Sequence, residues 1–161
     1  MQKSKIKIFI TAFLLICLAF LTNIADAASI QDNASGGDCV SIGVWDNSTK
    51  TCILTTDLNE SVQINGDNIT LDGNGRQLTG NNTGFGIIID YWKNITIKNL
   101  KIKNFAYGIY ISNSENNSIT DNIISNNSET GIALLNSHAN LITENEISNN
   151  QTSGLEIWYL F

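Results

Sequence analysis

Gly86-Ile87-Ile88-Ile89, Gly108-Ile109-Tyr110-Ile111, Gly131-Ile132-Ala133-Leu134 and Gly154-Leu155-Glu156-Ile157 are four copies of one phrase, 22, 23 and 23 residues apart. Eleven residues after each of the first three glycines stands another apolar residue, at Ile97, Ile119 and Ile142. Five further on come Ile102, Ile124 and Ile147, and two beyond those come Asn104, Asn126 and Asn149. A fixed period in the low twenties held by four columns implies a solenoid.

The units decide its kind. Each repeat has three short apolar pieces separated by clusters of Asn, Ser, Thr and Gly. β-Branched residues suit brief strands, and asparagine suits left-handed corners between them. No piece sustains a 3.6-residue apolar spacing, so helices are excluded. The expectation is an all-β chain, a right-handed single-stranded parallel β-helix of four to five coils with a small N-terminal cap. Isoleucine columns would fill its interior at a rung spacing of about 4.8 Å. Asn104, Asn126 and Asn149 would form an amide ladder at one corner. The chain has no proline, which suits a ladder in which most backbone N–H groups must donate.

GIYISNSENNSITDNIISNN (residues 108–127) resembles the repeats of the NosD-type, pectin-lyase-like right-handed β-helix proteins, and DNITLDGNGRQLTG (residues 67–80) resembles the first coil of many secreted members. The resemblance runs from about Val62 to the end of the chain and weakly back to Cys39. It implies a fold and leaves function open, because lyases, hydrolases, epimerases, adhesins and copper-site accessory proteins share this scaffold.

Residues 1–28 read as a signal peptide. Lys3, Lys5 and Lys7 precede a 14-residue apolar run at 8–21, and Ala25-Asp26-Ala27 offers the small residues a signal peptidase reads. The run is short for a membrane span, so the mature chain is expected to be secreted, at the cell surface or periplasmic. Losing three lysines and Asp26 takes the net charge from −6 to −8. An acidic exported domain is not expected to bind nucleic acid or an anionic membrane surface. Residues 29–58 form a leader and cap, and 59–161 the coils. Cys39 and Cys52 are expected to pair, tying a hairpin around the Asp46-Asn47-Ser48 turn. Trp45, Val44 and Ile53 are expected to cover the first coil, and Asp72-Gly73-Asn74-Gly75 to make a tight corner. At the far end the phrase stops partway through a coil. A piece of a longer repeat protein, able to meet further coils end to end, is favoured over an aromatic tail folded as a cap.

Candidate sites follow from the columns. Asp121 and Glu144 should stand on adjacent coils about 5 Å apart, near the separation used by retaining glycosidases. No base accompanies them, and Arg76 is the one arginine in the chain. Otherwise they are solvated surface acids. Lys93, Lys98, Lys101 and Lys103 read as solvated outward positions. Tyr110 should point outward, with Tyr91 or Trp92 one coil away, as a stacking platform for a sugar ring. His138 is the one histidine and Met1 the one methionine. Copper sites draw on several imidazole, thiolate or thioether ligands, so no metal site and no cofactor is expected. Nine Asn-x-Ser/Thr sequons, at Asn33, Asn47, Asn59, Asn68, Asn81, Asn94, Asn116, Asn126 and Asn150, are possible glycan acceptors, though 23 asparagines generate such triplets by composition. Asn126, in the expected ladder, would leave a glycan no room. The leading function is a non-catalytic exported module binding polysaccharide on an outer face. A polysaccharide lyase or hydrolase using the outer carboxylates, and a NosD-like copper accessory protein, are the alternatives.

Overall fold

A computed structural model describes residues 27–159, so all but the last two residues of the signal-peptide reading lie outside the described residues. Among them no helix is long and apolar enough to cross a membrane. The chain winds as a parallel β-solenoid with three sheets. The first holds β1 (Ala28–Gln31), β4 (Val62–Asn65), β7 (Phe85–Asp90), β10 (Tyr107–Ser112), β13 (Thr130–Leu135) and β16 (Ser153–Trp158). The second runs from β2 (Gly43–Asp46) and β3 (Thr51–Leu54) through β5 (Thr70–Asp72), β8 (Thr96–Lys98) and β11 (Ser118–Thr120) to β14 (Leu141–Thr143). The third stacks β6 (Gln77–Thr79), β9 (Lys101–Lys103), β12 (Ile123–Ser125) and β15 (Glu146–Ser148). Every pairing is parallel except β2 with β3.

The columns stack as the period requires. Leu71, Ile97, Ile119 and Ile142 are mutual partners in the second sheet, and Leu78, Ile102, Ile124 and Ile147 in the third. Ile87, Ile109, Ile132 and Leu155 align in the first. Inner residues of the middle coils are fully buried, whereas Leu155 and Ile157 in the last strand are 41% and 50% exposed. The opening glycines are required by crowding. A Cβ on Gly108 would sit 2.6 Å from both the Gly131 carbonyl and the Ile124 side chain, and one on Gly131 2.7 Å from the Gly154 carbonyl.

The amide ladder is displaced by one residue from its expected place. Asn104, Asn126 and Asn149 are the left-handed corner residues, with φ of 59°, 56° and 55°. The stacked amides belong to the residue that follows each corner. Phe105 N–H donates to Asn127 Oδ1 at 3.0 Å, and Asn127 N–H to Asn150 Oδ1 at 3.1 Å. The same device recurs at two further corners. Leu100 N–H meets Asn122 and Asn122 N–H meets Asn145; Ile95 N–H meets Asn117 and Asn117 N–H meets Asn140. Three amide ladders replace the single one expected, because a corner residue turns its side chain out and its successor turns inward.

The cap also departs from expectation. Ala28–Gln31 is no leader: it pairs in register with Val62–Asn65 and buries Ala28 and Ile30. A four-residue strand is too brief for its alternation to stand out in sequence. A one-turn helix, α1 (Cys39–Ile42), enters the hairpin, and Cys39–Cys52 closes it with a 2.03 Å S–S bond and Cα atoms 5.8 Å apart. Trp45 packs on the core, but Val44 and Ile53 are 58% and 37% exposed. They face away because Cys52 and Leu54 take the inward parity of β3.

Asp72 makes the expected corner, accepting from Asn74 N–H at 2.9 Å and from Asn99 Nδ2 at 3.0 Å, with Lys98 Nζ 3.3 Å away. Partial burial alone would push its carboxyl up, but the hydrogen bonds from Asn99 and Asn74 and the ammonium of Lys98 hold it below the ordinary aspartate value. A depressed folded pKa contributes stability that is full above the unfolded aspartate range and is lost as pH falls through the folded value. The stability deficit of Asp72→Asn should therefore shrink as urea denaturation is repeated from neutral into acid pH. A deficit independent of pH would show that the charge contributes nothing. For the ladders, Asn122→Leu strands the buried Leu100 N–H and Ile97 carbonyl and should cost about 2–4 kcal/mol. Asn126→Gly, at an exposed left-handed corner, should change stability by less than about 1 kcal/mol. Urea midpoints of the two variants check this ordering.

Candidate functional site

The expected aromatic platform does not assemble. Tyr110 lies outward, between the inward Ile109 and Ile111, yet is only 8% exposed. Phe85, one coil back, sets its ring centroid 4.6 Å away, and the Tyr107 ring lies at 6.2 Å in edge contact. Aromatic neighbours close over the tyrosine instead of leaving a face for a ligand. Its partners in the adjoining strands are Ile88 and Ala133, both buried. Tyr91 and Trp92 sit further round the coil, at the corner from the first sheet to the second, and align with Asn113 and Ser114 rather than with Tyr110.

That corner holds a hollow of about 470 Å³, with Tyr91, Trp92, Asp67, Lys93, Glu115 and His138 among its walls. The period builds it. Seven residues after Gly86, Gly108 and Gly131 come Lys93, Glu115 and His138, which meet as parallel bridges on successive coils. Asp67 extends the column, accepting from Lys93 N–H at 2.9 Å. Aspartate, lysine, glutamate and histidine thus follow one another up the column, and His138 Nε2 lies 2.9 Å from Glu115 Oε2. Tyr91 has φ of 64° and a 73% exposed side chain. Trp92 is half-buried, its ring packed against the core, and its backbone N–H donates to Ser114 Oγ at 3.1 Å. The left-handed Tyr91 and the core-packed Trp92 present one exposed and one half-buried ring at the same rim. Asp67 and Glu115 were not singled out in sequence, although the spacing that found the isoleucines also finds Glu115.

Asp121 and Glu144 follow one another at a different corner, in a column with Asn99, all three left-handed at φ of 56–57°. Both are exposed. Asp121 Oδ2 accepts from its neighbour Thr120. It lines a second hollow of about 360 Å³, beside Asp72, Asn74, Asn99 and Lys101. The position makes them corner formers that point to solvent, and no aromatic wall stands beside them. Of the four lysines, Lys93 enters the first hollow, Lys98 pairs with Asp72, and Lys101 and Lys103 stand outward on the third sheet.

A family model described as "Periplasmic copper-binding protein (NosD)" matches residues 23–159. Neither a curated protein nor a solved structure matches the chain. The description makes copper the ion to weigh against the geometry. Among the described residues no three His, Cys, Asp or Glu side chains are grouped to hold a metal ion. Cys39 and Cys52 are consumed in the disulfide, and the single imidazole faces one carboxylate. Copper's preference for several soft or imidazole ligands is not met by this donor set.

Proposed function

The chain belongs to the NosD family, and on that footing we propose that it is a non-catalytic exported β-helix module that binds carbohydrate in the hollow beside Trp92. One observation carries the reading: an exposed phenol and a core-packed indole flank a recess that also holds carboxylate, amide and imidazole groups. Sugar rings have apolar faces and polar edges, and this combination of walls answers both. Packing of the Trp92 ring against the core lowers the entropy lost when a ligand stacks. Export is supported by a family described as periplasmic and by the Cys39–Cys52 disulfide, which suits an oxidising compartment.

The non-catalytic part rests on placement. Asp121 and Glu144 stand at another corner, apart from the aromatic rim, and Glu115 inside the hollow is engaged by His138. A copper-handling role is supported by the family description, with His138 and Glu115 as its sole neighbouring donors in the hollow. It requires stoichiometric copper uptake that is lost in His138→Ala.

The carbohydrate reading is tested by glycan-array screening followed by titration calorimetry on the best hit. Trp92→Ala should weaken binding about tenfold, equivalent to ~1.4 kcal/mol, while Ser118→Ala on the second sheet leaves it unchanged. A native chain that retains no glycan, or a Trp92→Ala chain that binds as tightly, overturns the proposal. Polysaccharide degradation abolished by Asp121→Asn would instead establish an enzyme.

A further inference from the structure

We propose that Asn81 is an acceptor for N-linked glycan on the folded chain, and that the solenoid itself closes most of the other sequons. The inference is independent of the carbohydrate-binding hollow and rests on how each Asn-x-Ser/Thr triplet lies in the coil.

A transferase must grip all three residues of a sequon, so a buried middle residue blocks it unless the coil opens. Asn68, Asn94, Asn116 and Asn126 are exposed corner residues. The residue after each, however, points into the interior: Ile69, Ile95 and Asn127 are 0% exposed and Asn117 1%. Asn126 is therefore shut by its successor, not by its own place in a ladder. Asn150 is itself a ladder amide, accepting from Asn127 N–H. The hydroxyl of Ser61, which completes the Asn59 sequon, donates to the Phe85 carbonyl at 2.6 Å.

Asn33, Asn47 and Asn81 remain, with all three residues of each triplet exposed. Asn33 Oδ1 accepts from Ser35 and Gly37 N–H and its Nδ2 donates to Gln31, which fixes the amide. At Asn47 the Thr49 hydroxyl is turned to the Asp46 carboxylate. At Asn81 the Thr83 hydroxyl donates to the asparagine's own Oδ1 at 2.6 Å. The triplet thus already holds hydroxyl and amide together, and no described residue accepts from Asn81 Nδ2. Its loop, residues 80–84, joins β6 to β7 with five residues, against three between β9 and β10. Asn82 N–H donates to the Asn104 carbonyl and its carbonyl accepts from Ser128 Oγ, so the coil holds this loop by its backbone while the Asn81 and Thr83 side chains face solvent.

The co-reactant is an oligosaccharide linked through pyrophosphate to a lipid. Asn81 Nδ2 forms a bond to C1 of the first sugar, the C1–O bond to pyrophosphate breaks, lipid pyrophosphate leaves, and the Nδ2 proton passes to a base of the transferase.

The test incubates the folded, oxidised chain with a single-subunit oligosaccharyltransferase and its lipid-pyrophosphate-linked oligosaccharide, and reads glycopeptides by mass spectrometry. Occupancy at Asn81 should exceed that at Asn68, Asn94, Asn116 and Asn126 at least about tenfold and vanish in Thr83→Ala. After reduction and unfolding in urea, removed by rapid dilution into the assay, the closed sequons should become modified as well. Folded chain modified equally at Asn94 or Asn116, or Asn81 left bare in both states, overturns the proposal.

Discussion

A backbone N–H at the corner of a stacked coil has no strand partner, and a buried one left unmatched costs about 1–3 kcal/mol. Here an asparagine one coil on supplies the acceptor. Ile95, Leu100 and Phe105 present such N–H groups, and Asn117, Asn122 and Asn127 receive them. The three receivers then present their own N–H groups to Asn140, Asn145 and Asn150. Side-chain amides extend hydrogen bonding round the bends that the sheets leave open. The strands are only three to six residues long in the coils, so without the amides little of the winding would be fixed.

Stacking fixes the interior and leaves the outer surface to chemistry. Inward columns repeat isoleucine with small variation, whereas one outward column runs Asp67, Lys93, Glu115, His138. Each coil contributes a different functional group at the same angular position, one rung apart. That is how a recess with mixed walls arises on a fold whose core is uniform. The hollow beside Trp92 is a product of register: its aromatic rim comes from one turn of this corner, and its polar column from the same corner read on successive turns.

Much of this was legible in the residues. The glycine phrase and the three isoleucine columns gave the stacking partners to the residue, because interior positions tolerate few side chains and so repeat visibly. The disulfide followed from Cys39 and Cys52, the two cysteines outside the signal-peptide reading that holds Cys17, in a chain read as exported. Asparagine was misassigned by one position, since Asn126 and Asn127, like Asn149 and Asn150, are adjacent and composition cannot say which turns inward. The outward direction of Tyr110 was readable from strand alternation. Its closure by Phe85 and Tyr107 was not, because that depends on two residues just ahead of the glycine phrases whose rings lean across the sheet. Parity likewise misled in the cap, where Val44 and Ile53 turned outward.

The glycine near the head of the last four strands in the first sheet bears on how such a chain can change length. Gly86, Gly108 and Gly131 each lie against the carbonyl of the next glycine along the stack, so the steric fit at every junction is the same fit. A coil copied whole and inserted between two others meets surfaces it already matches. Lengthening by multiples of 22 or 23 residues is then a single genetic event with no repacking, whereas a residue added inside a strand would reverse the inward parity beyond it. Single-residue differences are taken up at the corners, as the spacings of 22 and 23 show.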